Sequence, residues 1–149
     1  MNVSDEIYRE VILDHFKSPR HYGKLEKPDV LETGMNPLCG DELEIYLSFK
    51  GDAISDIKFE GKGCSISKAS ASMMTEAVRE KKIAEAQKII SEFKSMMLEA
   101  KPADALPGDL EDAKSLEGVK NYPVRIKCAL LAWNTLLEAL KKFEKKKAA

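Results

Sequence analysis

From Leu43 to Lys50 apolar and polar residues alternate without a break, Leu43, Ile45, Leu47 and Phe49 against Glu44, Tyr46, Ser48 and Lys50. A period of two is that of a strand with one buried face, and it commits the middle of the chain to a sheet. Gly51-Asp52 marks a turn, and a second strand follows with Ile57 and Phe59. The apolar positions are odd in both strands, so a common buried face requires odd to pair with odd, Ile45 with Ile57 or Phe59. Continued outward, either register sets Cys39 opposite Gly63 or Ser65, one residue from Cys64. Two cysteines far apart in sequence thus reach the same end of one hairpin. If the chain stays extended there, Asp41, two residues after Cys39, turns to the same side.

Helical spacing flanks this hairpin. Tyr8, Val11, Ile12 and Phe16 follow a candidate cap at Ser4, and this helix should end before Pro19. A loop through Gly23 and Pro28 leads to the hairpin. Helices are expected from Ser65 to about Arg79 and from about Ile83 to Ala100, the second with Ile89, Phe93 and Met96 or Met97 on one face. Lys101 to Gly118 holds Pro102, Pro107, Gly108 and several acidic residues and reads as an exposed connection. The last helix opens near Pro123 and carries Ile126, Ala129, Leu130, Trp133, Leu136, Leu137 and Leu140. No repeat and no second domain is visible. The expected fold is α+β, one domain over residues 1–149, with a small, mostly antiparallel sheet packed against helices.

The three cysteines, Cys39, Cys64 and Cys128, lie in separate short motifs at element ends. With Asp41 they supply three thiolates and a carboxylate, enough to fill a tetrahedral metal site. The count alone does not separate ligands from core residues, because free cysteine also packs as a small hydrophobe. Their neighbours point to ligands: Gly40 permits a bend beside Cys39, and Cys64 stands between glycines and a helix start, where the positive end of the helix favours a thiolate. Arg125, three residues before Cys128 and on its helix face, is a candidate to stabilise a thiolate or persulfide, though a solvated arginine fits equally well. His15 and His21 are remote in sequence from every cysteine, which gives a Cys/His nucleophilic pair little support.

Composition narrows the function classes. A chain of 149 residues buries enough surface to fold without a disulfide or metal. Its 24 basic and 25 acidic residues leave a net charge of -1, with no global field for nucleic acid or an anionic membrane. The lysines at 141, 142, 145, 146 and 147 suit the C-terminal dipole of the last helix. With no apolar run of spanning length and an acidic start at Asp5-Glu6, the chain reads as cytoplasmic, its odd number of thiols reduced.

Over nearly its whole length the chain resembles the SufU branch of the IscU/NifU-type iron-sulfur cluster assembly proteins. The resemblance rests on the helix Tyr8-Arg9-Glu10-Val11-Ile12-Leu13-Asp14-His15-Phe16, on Asn36-Pro37-x-Cys39-Gly40-Asp41, on Gly61-x-Gly63-Cys64-Ser65-Ile66-Ser67, and on Arg125-Ile126-Lys127-Cys128-Ala129. It implies a SufE/NifU (IscU)-like fold, with Cys39, Asp41, Cys64 and Cys128 binding Zn2+, or alternatively a [2Fe-2S] cluster or iron. It further implies a zinc-dependent sulfurtransferase of the SUF system. Such a protein accepts persulfide sulfur from a SufS-like cysteine desulfurase, with Cys39 as acceptor, and passes it to the SUF scaffold or other cluster-accepting proteins. IscU-type scaffolds, which assemble and transfer a transient [2Fe-2S] cluster, look to a histidine immediately before the last cysteine. Here that position is Lys127, and an extra stretch expected within residues 95–121 also marks the SufU branch. A purely structural zinc adaptor is the third reading.

Overall fold

The computed structural model describes residues 3–148, with side chains described from residue 6. Helix α1 spans Val3–Lys17, so Ser4 lies inside its first turn, and its side chain falls outside the described residues. Three strands follow, β1 (Val30–Asn36), β2 (Asp41–Lys50) and β3 (Ala53–Lys62), then α2 (Ser65–Val78), α3 (Ile83–Leu98) and the long α4 (Pro123–Ala148). Pro123 occupies the first position of α4, where its missing N–H costs no helical bond.

The strands form one antiparallel sheet in the order β1-β2-β3. Ile45 pairs with Phe59 and Leu47 with Ile57, one of the two registers that the odd apolar positions allow. The register shifts between Ser48 and Phe49, which brings Phe49 opposite Ile54 and takes it out of the strict alternation. Phe49 is therefore half-buried, stacked on Phe143 of α4 at 3.7 Å between ring centroids. Gly51 turns the hairpin at a φ of 64°.

Leu43, Ile45, Leu47, Ile57 and Phe59 are buried on one face of the sheet. α4 lies across β1 and β2, while α2 packs on β3, α1 and α4. Trp133, fully buried, stacks on Phe93 of α3 at 4.0 Å, and its indole N–H donates to the Ser70 hydroxyl.

Two segments differ from their sequence reading. The loop after Pro28 contains β1, whose sequence Val-Leu-Glu-Thr-Gly-Met-Asn buries only its two end residues and so shows no apolar alternation. Pairing with β2 makes it a strand. The stretch from Lys101 to Gly118 is a packed series of 3-10 turns (103–105, 108–110 and 112–121) that buries Ala103, Leu106, Leu110, Ala113, Leu116 and Val119. Those residues recur almost every third position, the period of a 3-10 helix, a signal that a search for 3.6 overlooks. This segment meets α1 through His15, which is buried between the Ser72 hydroxyl (Nδ1, 2.7 Å) and the Asp112 carboxylate (Nε2, 2.7 Å).

Candidate metal centre

At one end of the sheet, the turn between β1 and β2, the start of α2 and the first turns of α4 converge. Cys39 lies in the turn, where its N–H donates to the Asn36 carbonyl at 3.2 Å and Gly40 takes a φ of 69°. β1 returns to β2 through the pair Asn36 and Asp41, and β2 meets β3 only from Glu42 and Lys62 onward. The extrapolated hairpin position of Cys39, opposite Gly63 or Ser65, is therefore replaced by a turn. Its sulfur, Asp41 and Cys128 nevertheless come together, with one ligand atom from each lying within 4.8 Å of the others.

Asp41 opens β2 and is buried. Its Oδ1 accepts from the Cys64 N–H at 2.9 Å, while its buried Oδ2 has no hydrogen-bond partner. A buried carboxylate oxygen without a partner is costly, and a cation is one of the few groups that can satisfy it. Gly63 leaves room for this carboxylate: a Cβ there would stand 2.5 Å from Oδ1.

Cys64 is the N-cap of α2, and its Sγ accepts from the Ser67 N–H at 3.5 Å. This is the helix-start position expected from its neighbours. Its sulfur falls outside the 4.8 Å group, yet it faces both Cys128 and the Arg125 guanidinium. Cys128 is fully buried, unlike half-buried Cys39 and Cys64. Burial, followed by the polar groups of neighbouring Cys39, Asp41 and Cys64, pushes its thiol pKa well above the ordinary range. Cys128 Sγ lies 3.8 Å from the Val124 carbonyl, to which the thiol donates, and accepts from Asn36 Nδ2 at 3.8 Å.

Arg125 is exposed at the mouth of the site. The hydrogen bond and charge of Cys64 raise its pKa first, with smaller contributions from Cys128 and Cys39. Lys127 is exposed, and a protonated ammonium has no lone pair for a metal. His15 and His21 are engaged elsewhere, His15 with Ser72 and Asp112, His21 with Glu76. Asn36 is the residue of this site to which sequence reasoning gave no role. Its position three residues before Cys39 is the only signal that could have found it.

Residues 7–149 match the NifU-like N terminal domain. The chain belongs to that family. This NifU-like domain is 44% identical over 140 residues, 94% of this chain and 93% of the other, to the zinc-dependent sulfurtransferase SufU of Bacillus subtilis. It is 41% identical to the iron-sulfur cluster assembly scaffold protein IscU of Thermotoga maritima, over 93% of this chain and 96% of that one. Among solved structures, the putative scaffold protein for the SUF system of Fervidobacterium islandicum superposes with a TM-score of 0.79 at 41% identity, covering 92% of this chain and 98% of that one. The α+β architecture with a small antiparallel sheet, expected from the alternation, is thus shared with proteins of iron-sulfur cluster assembly. Among the described residues no helix is long and apolar enough to cross a membrane.

Three sulfurs and one carboxylate suit zinc or an iron-sulfur cluster, and the unpartnered Asp41 oxygen supplies the hard donor. When bound, zinc would hold the coordinating thiols as thiolates near neutral pH.

Proposed function

We propose that this chain is a zinc-dependent sulfurtransferase of the SUF system, one cytoplasmic domain over residues 1–149 that accepts persulfide sulfur from a SufS-like cysteine desulfurase. The observation that carries the reading is the buried Asp41 carboxylate, set among thiols with one oxygen unpartnered. Cys39, Asp41, Cys64 and Cys128 would hold the zinc, the first, second and fourth already grouped and Cys64 at the cap of α2 beside them. A carboxylate exchanges more readily than a fourth thiolate, which suits a carrier.

Cys39 is the sulfur acceptor because it sits half-exposed on a turn, whereas Cys128 is enclosed and the equally half-exposed Cys64 sulfur is held at the cap of α2 by the Ser67 N–H. Its thiolate attacks the terminal sulfur of the partner's persulfide; a sulfur–sulfur bond forms to Cys39, the partner's sulfur–sulfur bond breaks, and the partner's cysteine leaves as a thiolate. Electrons balance without an external oxidant. Arg125, with its charge at the mouth, stabilises the thiolate or the new persulfide. The sulfur then passes to a SUF scaffold or another cluster-accepting protein.

The resemblance to a named IscU scaffold defines the competing reading, a transient [2Fe-2S] cluster built on the same donors. Lys127 bears against it, since an ammonium cannot replace a histidine ligand. The test supplies cysteine and a SufS-like desulfurase anaerobically, with and without iron, to the zinc-loaded protein and to Cys39→Ser, with a thiol reductant for the sulfide assay and without it for persulfide mapping. Sulfide release stimulated by the wild type alone, with a persulfide mapped to Cys39 by mass spectrometry, is the expected result. A stable stoichiometric cluster on zinc-free protein, with no stimulation by the zinc form, overturns the proposal in favour of the scaffold.

A further inference from the structure

Asn36 touches every member of the cluster formed by Cys39, Asp41 and Cys128. Its carbonyl accepts the Cys39 N–H at 3.2 Å and closes the turn. It is the cross-strand partner of Asp41, and its side-chain Nδ2 donates to Cys128 Sγ at 3.8 Å. The residue is buried, 7% exposed, at the last position of β1. A buried amide N–H aimed at a sulfur draws electron density from it and holds it in place, the role that outer hydrogen bonds play around metal-ligating groups.

We propose that Asn36 is a positioning residue that divides the labour of the thiols, making Cys128 the retained ligand and leaving Cys39 as the one that exchanges. This rests on the zinc reading above. The Cys128 sulfur is bracketed between Val124 and Asn36. Cys39 is fixed through its backbone and stays half-exposed on its turn, on the side of the site open to a partner. The amide thus anchors one sulfur and the carbonyl of the same residue aims the other.

The test compares wild type, Asn36→Ala and Asn36→Leu, the last of similar shape but uncharged and without the N–H donor. None of these changes alters the backbone carbonyl that closes the turn. Zinc affinity is measured by competition with a chromophoric chelator. In parallel, the zinc-loaded proteins are alkylated with iodoacetamide and the modified cysteines are mapped by mass spectrometry. In wild type, Cys39 should be modified first and Cys128 last. Loss of the amide donor should weaken zinc binding about 10–100-fold, the range for outer-shell partners, and make Cys128 react alongside Cys39. A cobalt-substituted protein should also show its sulfur-to-metal charge-transfer band moved to longer wavelength, a readout that loss of packing alone does not produce.

If Asn36→Ala does not fold, Asn36→Leu carries the same comparison. Unchanged affinity within about twofold, with Cys39 still first and Cys128 still last, overturns the role of Asn36 and leaves the zinc site standing. A wild type that holds no zinc overturns both, and the two failures are thereby told apart.

Discussion

Gly63 has no side chain to spare, because a Cβ at that position would lie 2.5 Å from Asp41 Oδ1 and 3.1 Å from its Cγ. Gly63→Ala should therefore push the carboxylate out of the site and weaken zinc binding by about tenfold or more while the far-ultraviolet circular dichroism stays unchanged. Equal affinity in a folded variant would remove Asp41 from the ligand set. On the sheet, Tyr46 shares its hydroxyl between the Glu44 and Glu60 carboxylates, at 3.2 and 3.1 Å. Burial, then these hydrogen bonds, pushes its pKa from 10.0 up to about 12. The folded state favours the neutral phenol, so its stabilisation is full below the unfolded pKa of 10 and is lost as pH rises toward about 12. Denaturant titrations of Tyr46→Phe against wild type should show their stability difference changing across that alkaline window and constant below it. At this scale Cys39, Asp41, Cys64 and Cys128 stood out as candidate donors because their chemistry is rare and their neighbours unusual, and the structure brings Cys39, Asp41 and Cys128 together. Asn36 did not stand out, since an asparagine before a proline reads as turn chemistry until the fold shows which sulfur its amide meets.

β1 and α1 each depend on a close approach that their own sequences do not announce. β1 lies against α4 where Gly34 faces Thr135, and a Cβ on Gly34 would come within 2.0 Å of Thr135 Oγ1. Gly34→Ala should cost about 1–3 kcal/mol by overpacking, with Thr135→Ala recovering part of it in a double-mutant cycle. Equal stability of Gly34→Ala and wild type in urea would show that the two elements are not so tightly set. His15 ties α1 to α2 and to the 3-10 turns, and His15→Ala should destabilise by about 1–3 kcal/mol through the polar groups it leaves unpaired. Hydrogen exchange should then rise in residues 101–121 before it rises in the sheet. α2, α3, α4, β2 and β3 could be read from periodicity because each has a continuous apolar stripe or alternation. β1 could not, since a strand with exposed Leu31 and Met35 takes its identity from its neighbour. The segment 101–121 misled for a different reason: prolines and acidic residues suggest exposure, while the buried residues keep a period of three.

For the molecule as a whole, a ligand that binds only the folded chain must raise stability by mass action. Zinc at a free concentration of about 100 times its Kd should add about 2.7 kcal/mol. A strong chelator should therefore lower the Tm, and Cys128→Ala should abolish the difference between metal-loaded and metal-free protein. An unchanged melting curve on chelation would sink the site. The distances along the chain have a further effect. The turn before β2 and the first turns of α4 enclose β2, β3, α2, α3 and the 3-10 turns between them. An ion shared by Cys39 and Cys128 turns that length of polypeptide into a closed ring, with α1 and β1 as one tail and the far end of α4 as the other. A protease cut within the ring then opens it without parting the molecule, and the nicked protein should hold its fold to a higher denaturant concentration with the ion bound than after the ion is stripped away.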